Sequence, residues 1–186
     1  MWSSKDLCFI IVLSVVGLVS TTLVAQMAGL ISGIRGANYV FTIILAIQTS
    51  LSFLVYEGRR WRLFAQISLF TILIIPTYLS GPPFSVQSKL HFFITGFIAD
   101  LILNSLYDAF RKREQLKLWA ILGSLLFWVT LPFFSLMIRP LFFSPEAVAF
   151  FANVVLLLLP VIVVEAIAGG YLGYHIYLRV RKDQLN

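Results

Sequence analysis

Asp100 is the residue whose position says most about chemistry, because it lies near the middle of an apolar stretch, residues 90–110. A carboxylate at the centre of a bilayer costs about 2.5 kcal/mol or more, so it faces protein or water and not lipid. Steps of four residues along a helix place Gly96, Asn104 and Asp108 on the face that carries Asp100. The pattern predicts a polar stripe on an interior helix, used as a ligand or coupling site or as an interhelical hydrogen bond.

Glu165 is the second acidic residue inside an apolar stretch, residues 154–178, and Gly169 and Gly173 follow it at helical spacing. Glycines at this spacing let another helix backbone approach closely. Asp100 and Glu165 lie a similar number of residues before the basic cluster that ends each stretch. At a helical rise of ~1.5 Å per residue, their distances from that end of the helix are therefore similar. We therefore expect both acids near the bilayer midplane, where they can be neighbours.

The composition requires a membrane environment for these residues. Of the 186 residues, 60% are hydrophobic and only 12% are charged, which excludes an ordinary soluble domain. The net charge of +6 sits in short clusters between apolar stretches, so a nucleic-acid partner is not expected. We predict an all-α protein of the cell membrane, with residues 1–186 forming one domain of six transmembrane helices in the lipid bilayer. The predicted spans are 7–26, 37–56, 63–80, 90–110, 118–138 and 154–178.

The apolar stretches at the two ends of the chain are longer than the roughly 20 residues that a span requires. We expect the first span to end near Gln26 with an interfacial segment after it, although a cleaved signal peptide is an alternative. The last stretch is expected to bend at Asn153 and Pro160, with an interfacial piece before the span proper. Ser144, followed by proline and an acid, predicts the start of this last helix.

The basic residues predict the orientation. With six spans, one side of the membrane receives only Arg35, Lys89 and Arg139. The positive-inside rule then places both termini in the cytoplasm. The other 11 of the 14 basic residues share the cytoplasmic side: Lys5, Arg59, Arg60, Arg62, Arg111, Lys112, Arg113, Lys117, Arg179, Arg181 and Lys182.

Motifs for catalysis and for nucleotide binding are missing from the sequence. There is no GxxxxGK[ST] phosphate loop, so an ATP-driven process requires another subunit. HExxH and GxSxG are also absent, and Cys8 is the only cysteine. We therefore expect no enzymatic activity, no metal site and no organic cofactor. A ridge of small residues on the first helix, Ser14, Gly17 and Thr21, predicts close contact with another helix, and we assign it to docking of a partner.

Two stretches resemble a known family of transport proteins. GFIADLIL (96–103) follows a Gly-Pro-rich loop, and VEAIAGGYLGYHIYLRVRK (164–182) closes the last helix. With six helices in under 200 residues, they resemble the substrate-binding S components of energy-coupling-factor transporters. The resemblance implies capture of a vitamin-like molecule or a metal ion from outside. It also implies association with a transmembrane coupling subunit and ATPase subunits.

The resemblance further implies a substrate pocket in the outer halves of the last three helices, beneath the first, third and fifth loops. The family usually has two alanines four residues apart on its first helix, where this chain has Ser14, Gly17 and Thr21. Carried over by region, the pocket residues are Asn38, Tyr78, His91, Trp128, Arg139 and Asn153.

Two other classes of function remain open from the residues alone. The first is a self-contained ion-coupled carrier or channel, in which Asp100, Asn104 and Glu165 form a proton or cation relay. The second is an accessory subunit of a larger membrane complex, in which the acids hold helices together. A binder requires a closed cavity lined by aromatic and polar groups, whereas a carrier requires a polar path to both sides.

Overall fold

The computed structural model describes residues 2–32 and 42–183. Every regular element in this part of the chain is helical, which confirms the predicted all-α class. In chain order the helices are α1 (Ser4–Ser32), α2 (Thr42–Tyr56), α3 (Arg62–Ile74), α4 (Leu90–Lys112), α5 (Leu116–Ile138) and α6 (Pro145–Asp183). Short single turns at Gln87–Lys89 and Arg139–Leu141 lie in the connections before α4 and α6.

Helices α1, α4, α5 and α6 are long and apolar enough to cross a membrane. This supports the prediction of a membrane protein. Helices α2 and α3 are apolar but have only 15 and 13 residues. At ~1.5 Å per residue they are about 22 and 20 Å long, which is shorter than the hydrocarbon core of roughly 30 Å.

The third predicted span, 63–80, ends too late. Helix α3 ends at Ile74, six residues before the predicted end, and Pro76 explains the difference. Proline has no backbone N–H, so the helical hydrogen-bond ladder cannot continue through it. The Ile75 and Thr77 amides instead make short-range bonds to the carbonyls of Ile72 and Ile74, at 3.2 and 3.0 Å.

The first and last helices continue beyond the predicted span limits, and the candidate membrane-spanning part of α1 is Ser4–Met27. Helix α1 continues past Gln26 to Ser32, and α6 runs through Asn153 and Pro160 without a break. The 39 residues of α6 measure about 58 Å at ~1.5 Å per residue. This length exceeds the roughly 40–45 Å of a bilayer with its headgroups, so the helix crosses such a bilayer only by tilting or by extending beyond it.

The predicted start of α6 is confirmed. Pro145 is its first residue, and Glu146 lies in the first turn. The Ala147 amide donates to Ser144 Oγ at 3.4 Å, and the Val148 amide donates to the Ser144 carbonyl at 3.0 Å. These bonds satisfy amides that have no partner inside the helix.

Glycines on α6 allow the closest helix contacts in the bundle. A Cβ placed on Gly170 would lie 2.7 Å from Ile121 Cα of α5. A Cβ on Gly173 would lie 2.8 Å from Ser50 Cβ of α2, and one on Gly169 would overlap Ala46. The prediction that the face of Gly169 and Gly173 admits another backbone is therefore confirmed for α2, and Gly170 admits the backbone of α5.

Most of the predicted cytoplasmic segments meet at one end of the bundle, which we call the basic end. Asp6 of α1 is buried and pairs with Arg59 at 2.6 Å and Arg62 at 3.3 Å, both next to the α2–α3 connection. The Lys117 ammonium lies 4.4 Å from the centre of the Tyr171 ring, which joins α5 to α6 at the same end. We call the opposite end, which carries the 75–89 and 139–144 connections, the loop end.

Candidate functional site

A cavity of about 140 Å³ lies inside the bundle, and all six helices contribute to its lining. Helix α3 follows its length, from Gln66 one turn inside the basic end to Ile74 at the loop end. Eight residues of helix correspond to about 12 Å. The cavity is therefore long enough to hold a small organic molecule along the axis of the bundle.

Aromatic side chains form much of the cavity wall. Phe70 and Phe92 meet edge to face with ring centres 5.5 Å apart, and Phe127 and Trp128 make a similar contact at 5.5 Å. Trp128 is fixed because its indole Nε1 donates to Thr49 Oγ1 at 3.2 Å. Flat rings held in this way suit the apolar or aromatic body of a ligand.

Polar and cationic groups gather where the cavity approaches the loop end. Ser80 Oγ and His91 Nε2 lie 3.4 Å apart, and both residues line the cavity. The Arg139 guanidinium is 3.7 Å from the centre of the Phe151 ring, and its Nε donates to Ser135 Oγ at 3.0 Å. This end can therefore offer hydrogen bonds and a positive charge to a ligand.

The α3–α4 connection covers this end of the cavity through Leu79 and Ser80. Lys89 holds the connection in place: it has no exposed surface, and its ammonium donates to the carbonyl of Pro82 at 2.9 Å. The Phe84 amide adds a second tie, a bond of 2.7 Å to the Ile75 carbonyl. The loop is therefore a fixed cover in this conformation.

The deep part of the cavity contains two glutamines. Gln48 Nε2 donates to the Leu13 carbonyl at 2.6 Å, which ties α2 to α1. Gln66 is 4% exposed, and its Oε1 has no hydrogen-bond partner. Sequence reasoning missed both residues, although an uncharged amide inside an apolar stretch is the same kind of signal that identified Asp100.

The residues predicted to bind substrate divide into three groups. His91, Trp128 and Arg139 come from different parts of the sequence, and all three line the cavity. Tyr78, with 85% of its surface exposed, and Asn153, also exposed, are not among the lining residues. Asn38 lies outside the described residues.

Asp100 stabilises the start of another helix. It is 1% exposed, and its two carboxylate oxygens accept the backbone N–H groups of Trp61 at 2.9 Å and Phe64 at 3.0 Å. Asn104 Nδ2 adds a bond of 2.7 Å to the same carboxylate. The carboxylate thus supplies acceptors to the free amides at the beginning of α3, the task usually performed by a capping side chain of the helix itself.

Glu165 does the same for α2. Its Oε2 accepts the Ile43 backbone N–H at 3.2 Å, at the start of the described part of that helix. Asp100, by contrast, accepts backbone amides at the start of α3, just beyond the opposite end of α2. The 15 described residues of α2, which separate the two contact points, span about 22 Å. The expectation that the two acids lie at one depth is therefore wrong, and the two acids are not neighbours.

The small-residue ridge of α1 faces the interior. Ser14 is fully buried and its hydroxyl donates to the Gln66 carbonyl at 2.9 Å. A Cβ on Gly17 would lie 2.9 Å from Gln48 Nε2, and both Gly17 and Thr21 line the cavity. The prediction of close helix contact is confirmed, but the assignment of the ridge to partner docking is wrong, because α2 and α3 occupy it.

Within residues 2–32 and 42–183, no three His, Cys, Asp or Glu side chains lie close enough together to hold a metal ion. Neither a protein-family model, nor a curated protein, nor a solved structure matches this chain. The functional argument therefore rests on the geometry of the cavity.

Proposed function

We propose that this protein is the solute-binding subunit of a transporter of the energy-coupling-factor type. The main support for the proposal is the cavity. Its wall contains aromatic side chains and the cationic Arg139, and the Lys89-tied α3–α4 connection lines the end near Arg139. Such a site fits a small organic solute with an apolar or aromatic body and an anionic group. In this proposal the loop end faces outward and both termini lie in the cytoplasm.

The positions of the acids favour a binder over an ion-coupled carrier. Both Asp100 and Glu165 accept backbone amides of other helices, and they lie at opposite ends of α2. A relay requires groups that exchange a proton or cation with each other, and these two are too far apart to do so. Transport by this protein therefore needs a coupling subunit and ATPase subunits, which bind elsewhere than Ser14, Gly17 and Thr21.

Native mass spectrometry of protein purified in mild detergent tests the proposal. We expect a retained small molecule on the wild-type protein and its loss from Trp128→Ala and Arg139→Gln, which remove an aromatic wall and the cationic group. Tyr78→Ala is the matched control, because this side chain is 85% exposed and does not line the cavity. Co-purifying ATPase subunits would support the partner assignment.

Concentrative uptake by the isolated protein would contradict the proposal. If the isolated protein in vesicles accumulates a solute under a proton or sodium gradient, and Asp100→Asn abolishes the uptake while the protein stays folded, the binder proposal fails. The ion-coupled carrier would then replace it.

A further inference from the structure

Gln66 has a buried side-chain oxygen, Oε1, for which the fold itself supplies no hydrogen-bond partner. Of the described residues that line the cavity, it alone carries a buried side-chain nitrogen or oxygen without a hydrogen-bond partner. Its backbone is fixed, because Ser14 Oγ donates to the Gln66 carbonyl at 2.9 Å and thereby ties α1 to α3. The backbone from which the Gln66 side chain extends is therefore held at the deep end of the cavity.

A buried amide that makes no hydrogen bond is destabilising, whereas a buried apolar side chain of similar size is not. The neighbouring cavity residues Leu13, Ile67 and Phe70 offer apolar surface. Leucine or methionine would fill such a position more favourably than glutamine. The retained carboxamide thus points to a hydrogen-bond partner that enters with the ligand.

The chemistry of that partner follows from the carboxamide. Its oxygen accepts and its nitrogen donates, and the two atoms lie side by side. The complementary group is an N–H next to a C=O, as in a lactam, a cyclic urea or a primary amide.

We propose that the cavity binds a solute with an amide-type edge and that the Gln66 carboxamide forms hydrogen bonds with this edge at the deep end of the cavity. The proposal rests on the proposed solute-binding function and specifies the chemical class of the solute. A ligand that fits would place its N–H and C=O against Gln66, its ring between Phe70 and Trp128, and an anionic group towards Arg139.

Oxindole and 2-indanone test this proposal, because they differ only by an N–H in place of a CH2 beside the carbonyl. Their affinities for the purified protein in lipid nanodiscs are measured by isothermal titration calorimetry. We expect the wild-type protein to bind oxindole at least about tenfold more tightly, since 2-indanone leaves one half of the carboxamide unpaired.

Gln66→Leu provides the decisive variant. It should bring the affinity ratio of the two compounds close to one by weakening oxindole, and it should raise the melting temperature of the ligand-free protein. The second effect shows that the variant folds. Gln115→Leu is the matched control, because Gln115 is exposed at the start of α5 and should leave both the ratio and the melting temperature unchanged.

Three results would overturn the inference. Equal affinity of the wild-type protein for both compounds would be compatible with the solute-binding function but would show that the protein does not recognise an amide edge. An undiminished preference for oxindole in Gln66→Leu would place the recognition on another residue. Failure of both compounds to bind would contradict the amide-edge inference, whereas the proposed function is decided separately by the small molecule that native mass spectrometry detects.

Discussion

Asp100, which is buried, and Glu165, which is partly buried, show how a single side chain can complete a helix that is not its own. Asp100 and Glu165 supply acceptors to the first amides of α3 and α2. Free amides at a helix start carry partial positive charge, which a carboxylate neutralises while its own desolvation is compensated. The carboxylates therefore have a structural function that requires no ligand.

Because the two acids act on different helices, their effects on stability should be independent. We expect Asp100→Asn to lower the free energy of unfolding by about 1–3 kcal/mol, since the amide presents an N–H where the carboxylate accepted one. Glu165→Gln should cost about 1 kcal/mol. The double variant should match the sum within about 0.5 kcal/mol. Thermal unfolding in one detergent measures all three variants.

Asp108→Asn is the control for these variants, because Asp108 is exposed on the same helix as Asp100. It should leave stability unchanged. A coupling energy well above 1 kcal/mol between Asp100 and Glu165 would contradict the arrangement in which they serve separate helices.

At the scale of the helices, α6 is the element against which α2 and α5 pack. Its glycines remove side-chain bulk where the backbones of the other helices approach, and close packing of this kind drives helix association in lipid. The described part of α2 and the whole of α3 are shorter than the hydrocarbon core of a bilayer, and both pack against the longer helices.

Gly170→Ala should separate α5 from α6. The added methyl would lie 2.7 Å from Ile121 Cα, and backbone cannot move aside as a flexible side chain can. We expect a loss of about 1–3 kcal/mol in the free energy of unfolding, measured by thermal unfolding.

Leu172→Ala on the same helix changes an exposed side chain and serves as the control. A Gly170→Ala variant as stable as this control would show that the two helices do not pack as closely as the structure places them.

At the scale of the whole molecule, the two ends of the bundle differ in charge. Ion pairs between Asp6 and the arginines of the α2–α3 connection gather basic residues at one end. The cavity approaches the opposite end, beneath the Lys89-tied loop. This separation suits a protein that meets its solute on one side of a membrane and its partners on the other.

Cysteine labelling in intact cells tests the orientation. The exposed Cys8 must first be replaced, for example by alanine. Gln87→Cys in the α3–α4 connection should then react with an impermeant thiol reagent, whereas Arg60→Cys and Gln115→Cys should react only after the membrane is opened. Labelling of Gln115→Cys from outside would reverse the predicted topology.

The sequence by itself determined the helical class, the membrane environment and the start of α6. These properties depend on local composition and capping, which neighbouring residues specify. It also indicated His91, Trp128 and Arg139 as lining residues, through the resemblance to a transporter family. It singled out Asp100 and Glu165 as acids inside apolar stretches, of which Asp100 is buried and Glu165 partly buried.

Only the tertiary structure decided what these residues do. The backbone partners of Asp100 lie 36 and 39 residues away, and Ile43, whose amide donates to Glu165, lies 122 residues away. The inward direction of the Ser14 ridge and the exposure of Tyr78 depend in the same way on which helices are neighbours. Helical periodicity defines the faces of each helix but not the helix that each face meets, so these contacts arise only when the bundle packs.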